Sequence, residues 1–149
     1  TVTKGEFVTM MIKALGIPVD NSVSYTGYTD QLPDWLKPYL AAALRSGITA
    51  GLPASETGIF AAETAVTGGE AAVMLANAMD LSAVTAAQQA GKEDSAPNEP
   101  AWAMGAVAAM NEQGFSLQAT QELTRGEVAM ILYQISLQKD LIPSLAMYQ

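Results

Sequence analysis

A four-residue phrase, Thr-x-Gly-Glu, occurs three times in this chain, and we name the copies the first, second and third box. Their second residues differ, being Lys4, Gly68 and Arg125 in turn. A Thr that precedes a helix accepts a hydrogen bond from the amide three residues later, and a Glu at that later position bonds back to the amide of the Thr. Each box therefore predicts the first turn of a helix.

Apolar residues follow each box with the spacing i, i+3, i+4, i+7, which places them on one stripe of a helix. The stripes are Phe7, Met10, Met11 and Ala14; Ala71, Met74, Leu75 and Ala78; and Val128, Ile131, Leu132 and Ile135. We expect helices near 4–16, 68–80 and 125–138. Because one narrow stripe does not stabilise an isolated helix, we also expect the three helices to pack together as a central bundle.

A second unit recurs between the boxes. Residues 35–48 align without gaps on residues 102–115, and each segment begins with Trp and has Gly as its last residue but one. Gly frequently ends a helix because it adopts the left-handed conformation without strain, so both segments predict short helices. The first unit carries a turn-rich loop, 49–60, that the second unit lacks. We predict a further short helix over 82–91 and a loop over 92–100. The fold class expected is all-α, with helical repeats that bury their faces against one another.

Composition excludes several classes of function. The 149 residues carry a net charge of -8 with scattered basic residues, which argues against nucleic-acid binding. No apolar run reaches the roughly 20 residues that cross a bilayer, so we expect no membrane insertion. The chain contains no Cys and no His, which removes the usual nucleophile, general base and metal ligand. We therefore expect no enzyme activity, no catalytic residues, no cofactor and no metal, and we interpret Asp30 and Asp34 as solvated surface acids.

The order of residues resembles the S-layer homology module. Tyr28-Thr29-Asp30, Trp35, Gly47-Ile48, Phe60 and the second box follow the family pattern F-x-D, W, G-I, F-x-P, T-R-x-E. The resemblance divides one domain, 1–149, into a closing half repeat (1–17), a full repeat (25–81), an abbreviated repeat (92–138) and a tail (139–149). It implies a pseudo-threefold helical domain with a central three-helix bundle.

The resemblance also implies a function and a site. Such modules attach secreted proteins to the cell wall or S-layer without a covalent bond, by binding an anionic, pyruvylated secondary cell-wall polysaccharide. At the matching positions it assigns ligand binding to Lys4, Asp30, Trp35, Trp102 and Arg125. Arg125 matches the family's Arg, Lys4 keeps only its charge, and Gly68 keeps neither. A cation in the first turn is opposed by the helix dipole, so helix stability alone does not require Arg125.

Three alternatives stay open at this point. The first concerns each Trp, which is either a buried anchor or a platform for a sugar. The Thr and Glu of the boxes, in contrast, are interpreted as caps. The domain is either a wall anchor or a degenerate module that has kept the fold for structural or protein–protein contacts. Because the chain begins at Thr1 without Met or a signal peptide, we expect it to be a processed piece of an extracellular parent protein. The tail, 139–149, is predicted to cover apolar surface or to join a neighbouring chain.

Overall fold

The computed structural model describes residues 1–22, 25–53, 57–79 and 101–138. This part of the chain forms five α-helices and no strand, as the all-α prediction requires. The helices are α1 (Lys4–Leu15), α2 (Lys37–Arg45), α3 (Gly68–Ala78), α4 (Ala101–Glu112) and α5 (Arg125–Gln138). The predicted segments at 82–91, 92–100 and 139–149 lie outside the described residues. No helix in the described part is long and apolar enough to span a bilayer.

All three boxes cap their helices as predicted. In the first box the amide of Glu6 donates to Thr3 Oγ1 at 3.2 Å, and the amide of Thr3 donates to Glu6 Oε1 at 3.1 Å. The second box makes the same two bonds, at 3.3 and 2.9 Å. In the third box the amide of Glu127 donates to Thr124 at 3.2 Å, with a return bond of 3.0 Å. Capping alone thus accounts for Thr and Glu at these positions.

Glycines end the helices in the way the spacing predicts. Gly16, Gly47 and Gly114 all have positive φ, at 69°, 72° and 98°. In each case the next residue donates its amide to a carbonyl five residues earlier, from Ile17 to Ile12, Ile48 to Ala43 and Phe115 to Met110. This is the Schellman arrangement, which satisfies carbonyls that the helix itself leaves unpaired.

The helices α2 and α4 each lie against a boxed helix. Three contacts show that α2 runs in the same direction as α1. Leu36, at the start of α2, touches Gly5; Lys13 Nζ lies 5.6 Å from the ring centroid of Tyr39; and Arg45 donates to the carbonyl of Pro18 at 3.3 Å. At the next helix pair Ala103 of α4 lies against Gly69 of α3. Each pair buries the start of a boxed helix.

The prediction that the three boxed helices pack together is confirmed only in part. The helices themselves are present, and α1 packs against α5. The most extensive packing of α3, however, is against α4 and not against the other two boxed helices. The reason is the run of small residues on α3, because Gly69 lets the backbone of α4 approach closely. The core is continuous through all five helices and contains the predicted apolar stripes.

A ring of backbone hydrogen bonds joins the residues that precede the boxes. Val66 donates to the carbonyl of Val2 at 2.8 Å, Val2 donates to Leu123 at 3.1 Å, and Leu123 donates to Val66 at 3.0 Å. All three side chains are buried. The ring brings together segments separated by more than 50 residues of sequence. It therefore places the amino-terminal ends of α1, α3 and α5 around one point.

Candidate functional site

The ring positions the variable second residue of one box beside the glutamate of another. Lys4 of the first box forms an ion pair of 2.7 Å with Glu70 of the second. Arg125 of the third box pairs with Glu6 of the first. We name these contacts the Lys4 junction and the Arg125 junction. Each glutamate thus has two roles, since it caps its own helix and also holds the cation of a neighbouring box.

The third junction is built differently because Gly68 has no side chain. Here Gln121 Nε2 donates to Glu127 at 2.8 Å, while the carbonyl of Gln121 accepts from the amide of Gly68 at 2.7 Å. Gln121 therefore bonds the glutamate of the third box, as a cation does at the other two junctions. A neutral amide replaces the positive charge there.

Gly68 is required by close packing and not only tolerated. A Cβ built at this position would lie 2.1 Å from the carbonyl oxygen of Gln118, which is backbone. The arginine that the family pattern has at this position therefore does not fit beside Gln118 in this fold. Any larger side chain would force the 118–121 segment away from α3.

The Lys4 junction is mostly buried. The side chains of Lys4 and Glu70 are only 19% and 13% exposed, and Lys4 Nζ also approaches the carbonyl of Phe60 at 3.4 Å. At this burial an ion pair is only weakly screened by water and salt. Removing either partner would leave a charge with little solvent around it, which is costly. Lys4 is thus part of the fold as well as a member of the predicted site.

The Arg125 junction is open to solvent. The Arg125 side chain is 63% exposed, whereas that of Glu6 is 32% exposed. The hydrogen bond from the Thr3 amide, and then that from Arg125, hold the pKa of Glu6 below its ordinary value of 4.5. A guanidinium has five N–H donors, and the contact with Glu6 runs through one terminal nitrogen. Arg125 can therefore keep Glu6 and present further donors outward.

Asp30 is used inside the fold. Its two carboxylate oxygens accept from the amides of Phe60 and Ala61, each at 3.1 Å. These bonds hold the end of the 49–60 loop, where Ala61 has a positive φ of 56° that is unusual for a residue with a side chain. Phe60 is buried, but its neighbour Ile59 is exposed. Asp30 thus positions this loop against the Lys4 junction.

The two tryptophans have different environments. Trp35 is more than half exposed just before α2, whereas Trp102 lies within α4 and packs against the core. Trp35 therefore offers a free aromatic face, and Trp102 acts mainly as an anchor. The sequence repeat alone did not separate the two because it aligns them without a gap.

A cavity of about 160 Å³ lies next to the Lys4 junction. Its wall combines the ion pair with apolar side chains of the 49–60 loop and of α3, and consists of Lys4, Leu52, Pro53, Thr57, Ile59, Phe60, Glu70 and Met74. Of the predicted site residues only Lys4 lines this cavity, while Asp30 reaches it indirectly through Phe60.

An open acidic depression lies on the other side of Asp30. Asp30, Asp34 and Glu63 line it together with Lys37, which pairs with Asp34 at 3.1 Å. Among the described residues no group of three acidic side chains has the geometry to hold a metal ion. The interpretation of Asp30 as a solvated surface acid is wrong, because its carboxylate accepts hydrogen bonds from two backbone amides of the fold.

No protein-family model matches the chain, and no curated protein matches it. The S-layer homology resemblance therefore continues to depend on the residues quoted above.

Sequence reasoning missed the partners of the two cations. Nothing in a single box shows that its glutamate faces another box, because the partners are separated by 66 and 119 residues. One signal was available: three acidic caps accompanied by two cations at equivalent positions suggest pairing in a closed arrangement. Gln121 had no such signal.

Proposed function

We propose that this domain is a non-covalent cell-wall anchor of the S-layer homology type that binds an anionic polysaccharide. The fold supports this proposal through the backbone ring, which relates the three boxes as a pseudo-threefold arrangement does. The observation that carries the proposal is the exposure of Arg125, whose side chain is 63% exposed although it pairs with Glu6, at the position that the resemblance assigns to the ligand. The corresponding localisation is extracellular, at the cell wall.

Arg125 is the principal ligand cation in this proposal. A pyruvylated sugar carries a carboxylate, and a guanidinium can grip a carboxylate through two parallel N–H bonds. Lys4 is a secondary cation because Glu70 already neutralises it in a mostly buried pair. Trp35 would serve as an aromatic platform for a sugar ring, whereas Trp102 and Asp30 would support the fold around the site.

The test is co-sedimentation of the purified domain with cell-wall sacculi, before and after extraction of the secondary polymers. Binding that disappears with the extracted polymers is expected. Arg125→Ala should weaken binding about tenfold or more, because a charge-assisted hydrogen bond contributes roughly 1.5 to 3 kcal/mol. The matched control is Glu6→Gln, which breaks the ion pair but retains Arg125 and, as Gln, the helix cap.

The control separates the two roles of Arg125. If the guanidinium binds the polymer, Glu6→Gln leaves binding unchanged or strengthens it by removing a competing carboxylate. If only the ion pair matters, Glu6→Gln and Arg125→Ala weaken binding equally. Strong binding that neither Arg125→Ala nor Lys4→Ala reduces would contradict the anionic-sugar mechanism.

A second candidate function is a structural or protein-interaction module that does not bind sugar. It is favoured by a specific observation, which is that both cations are occupied by glutamates and Asp30 is occupied by two backbone amides. The net charge of -8 would also repel an anionic polymer. Absence of binding to intact sacculi by the unaltered domain would favour this candidate.

A further inference from the structure

The outer face of the third boxed helix differs from the same face of the other two. This face consists of the box glycine and the residues three and seven positions after it, which share one side of a helix. In α1 it is Gly5, Val8 and Ile12, in α3 it is Gly69, Ala72 and Ala76, and in α5 it is Gly126, Ala129 and Tyr133. All the members in α1 and α3 are buried, and all those in α5 are exposed.

The contrast is large and extends to apolar neighbours. Ile12 and Ala76 are 1% and 2% exposed, whereas Tyr133 at the equivalent position is 61% exposed. Met130 and Leu137, on the same side of α5, are 61% and 64% exposed. The opposite side of α5 is buried in the core through Val128, Leu132 and Ile135. A helix that is apolar on both sides is normally covered on both sides.

Other helices cover the first two faces. A Cβ built at Gly5 would lie 3.0 Å from Leu36, at the start of α2, and one built at Gly69 would lie 2.9 Å from Ala103 of α4. At Gly126 the nearest atom belongs to Thr124 of its own box, at 4.0 Å. The start of α5 therefore has open space where the other boxed helices have a neighbouring helix.

The hydrogen-bond ring indicates how a covering helix is connected. Val66 donates to Val2, and the helix that precedes Val66, α2, covers the helix that follows Val2. Leu123 donates to Val66, and α4, which precedes Leu123, covers the helix that follows Val66. Val2 donates to Leu123, which precedes α5. By the same order, a helix connected ahead of Val2 would cover α5.

We propose that the outer face of α5, formed by Gly126, Ala129, Met130, Tyr133 and Leu137, is a docking site for one more helix of the α2 kind. This helix joins the amino-terminal side of Val2 and runs in the same direction as α5, as α2 does beside α1. It presents an apolar side chain like that of Leu36 to Gly126.

The second residue of the box selects between the two kinds of covering unit. The segment after α4 brings the carbonyl of Gln118 so close that only glycine fits beneath it, at Gly68. The segment after α2 fits over Lys4, which has a side chain. There the amide of Lys4 donates to the carbonyl of Thr64 at 2.9 Å. Because the third box has Arg125 at this position, an α2-type unit fits and an α4-type unit does not.

The tail is a poorer occupant on geometric grounds. It leaves α5 after Gln138, whereas the start of the docking helix has to lie beside Gly126. The two ends of α5 are separated by about 18 Å at 1.5 Å per residue. A return over this distance takes about five or six extended residues. The rest of the 11 residues in 139–149 are too few for a helix as long as α2, which has 9 residues.

The test extends the full chain with a copy of its own residues 25–64, placed directly ahead of Thr1. In this register the added segment leads into Val2 as Thr64 and Ala65 lead into Val66. The readout is oxidation of Met130 by hydrogen peroxide, followed by mass spectrometry of peptides, with buried Met11 as the internal reference. We expect Met130 to oxidise at least about fivefold more slowly than in the unextended chain, and the thermal midpoint to rise by about 3 °C or more.

Two matched controls also add a segment of the chain's own sequence. Residues 25–64 attached after Gln149 should give no protection, because the connection enters from the wrong end. Residues 99–121 placed ahead of Thr1, the α4-type unit in the same register, should protect Met130 less because of Arg125. In the extended protein Tyr133→Glu should abolish the gain in thermal midpoint, while in the unextended chain it should change the midpoint little.

Three results would overturn the proposal. The first is equal oxidation of Met130 in the extended and unextended proteins when both are folded by circular dichroism. The second is faster oxidation of Met130 in a chain that ends at Gln138 than in the full chain, which would make the tail the occupant. The third is protection in the unextended chain that grows with protein concentration, which would assign the face to a second copy.

Discussion

At the scale of single residues, the second position of each box is decided by its neighbours. Lys4 and Arg125 each meet the glutamate of another box, whereas Gly68 lies beneath a carbonyl that leaves no room for a side chain. A pattern that looks like free variation in sequence is therefore three different solutions to packing around one ring. Charge is used where there is space, and glycine where there is none.

The first residue-scale prediction compares glycines at two boxes. Gly68→Ala should lower the free energy of unfolding by about 2 kcal/mol or more, because its Cβ meets backbone that cannot move without disturbing the 118–121 segment. Gly126→Ala is the matched control, since that position is open and a helical Ala is favoured over Gly by up to about 1 kcal/mol. Urea unfolding of the two variants measures both effects. Equal stability of the two variants would contradict the close approach at Gly68.

A second residue-scale prediction concerns pH. Hydrogen bonds from the Thr3 and Thr124 amides hold the pKa of Glu6 and Glu127 below the ordinary value of 4.5. Folding therefore favours the charged carboxylates, and their contribution is present above pH 4.5 and lost as pH falls through the lowered pKa values. Urea midpoints should be flat near neutral pH and decline below about pH 4.5, and Glu127→Gln should make the decline shallower. A decline of unchanged slope in Glu127→Gln would remove Glu127 from this account.

At the scale of elements, each boxed helix was predictable but its partners were not. The capping boxes, the apolar stripes and the terminal glycines are local signals, and the helices begin and end close to the predicted residues. Which helix covers which depends on contacts between distant segments, so the packing of α3 against α4 was missed. The second apolar side of α5 did leave a signal, because Met130, Tyr133 and Leu137 are spaced as one helical face. It was overlooked since the Val128 stripe already explained the helix.

The candidate site was predictable only to the level of residue positions. Lys4 and Arg125 lie at the starts of α1 and α5, as their boxes predict, and Asp30 lies against the loop that ends at Phe60. The resemblance did not give their partners, because those are glutamates and amides from other segments. The difference between exposed Trp35 and packed Trp102 likewise depends on the surrounding chain and not on the repeated unit itself.

An element-scale prediction compares the two ion pairs that connect boxed helices. Double-mutant cycles with Lys4→Ala and Glu70→Gln should give a larger coupling energy than cycles with Arg125→Ala and Glu6→Gln. The exposed Arg125 pair should contribute at most about 1 kcal/mol and weaken as salt is added. The mostly buried Lys4 pair should exceed it and respond less to salt. Gln in place of Glu preserves the caps, so the cycles isolate the contacts between helices. A larger coupling at Arg125 would reverse the ranking by burial.

At the scale of the whole molecule, the hydrogen-bond ring makes the boxed helices depend on one another. Val2, Val66 and Leu123 each donate to one member of the ring and accept from the other, so losing any one segment breaks two of the three bonds. The core is continuous across the two repeated units. These features predict that the described part of the chain unfolds as one cooperative unit, although its sequence is divided into repeats.

The two tryptophans allow this cooperativity to be measured separately in each half. Trp102→Phe leaves Trp35 as the reporter for the first unit, and Trp35→Phe leaves Trp102 as the reporter for the second. Urea unfolding followed by fluorescence of each variant and by far-ultraviolet circular dichroism should give, within each variant, one coincident transition. Val66→Pro, which removes a ring donor, should lower the midpoint at both reporters by the same amount, since the ring couples the units. Two separate transitions, or a loss confined to one tryptophan, would show that the repeats unfold independently and that the ring does not join them energetically.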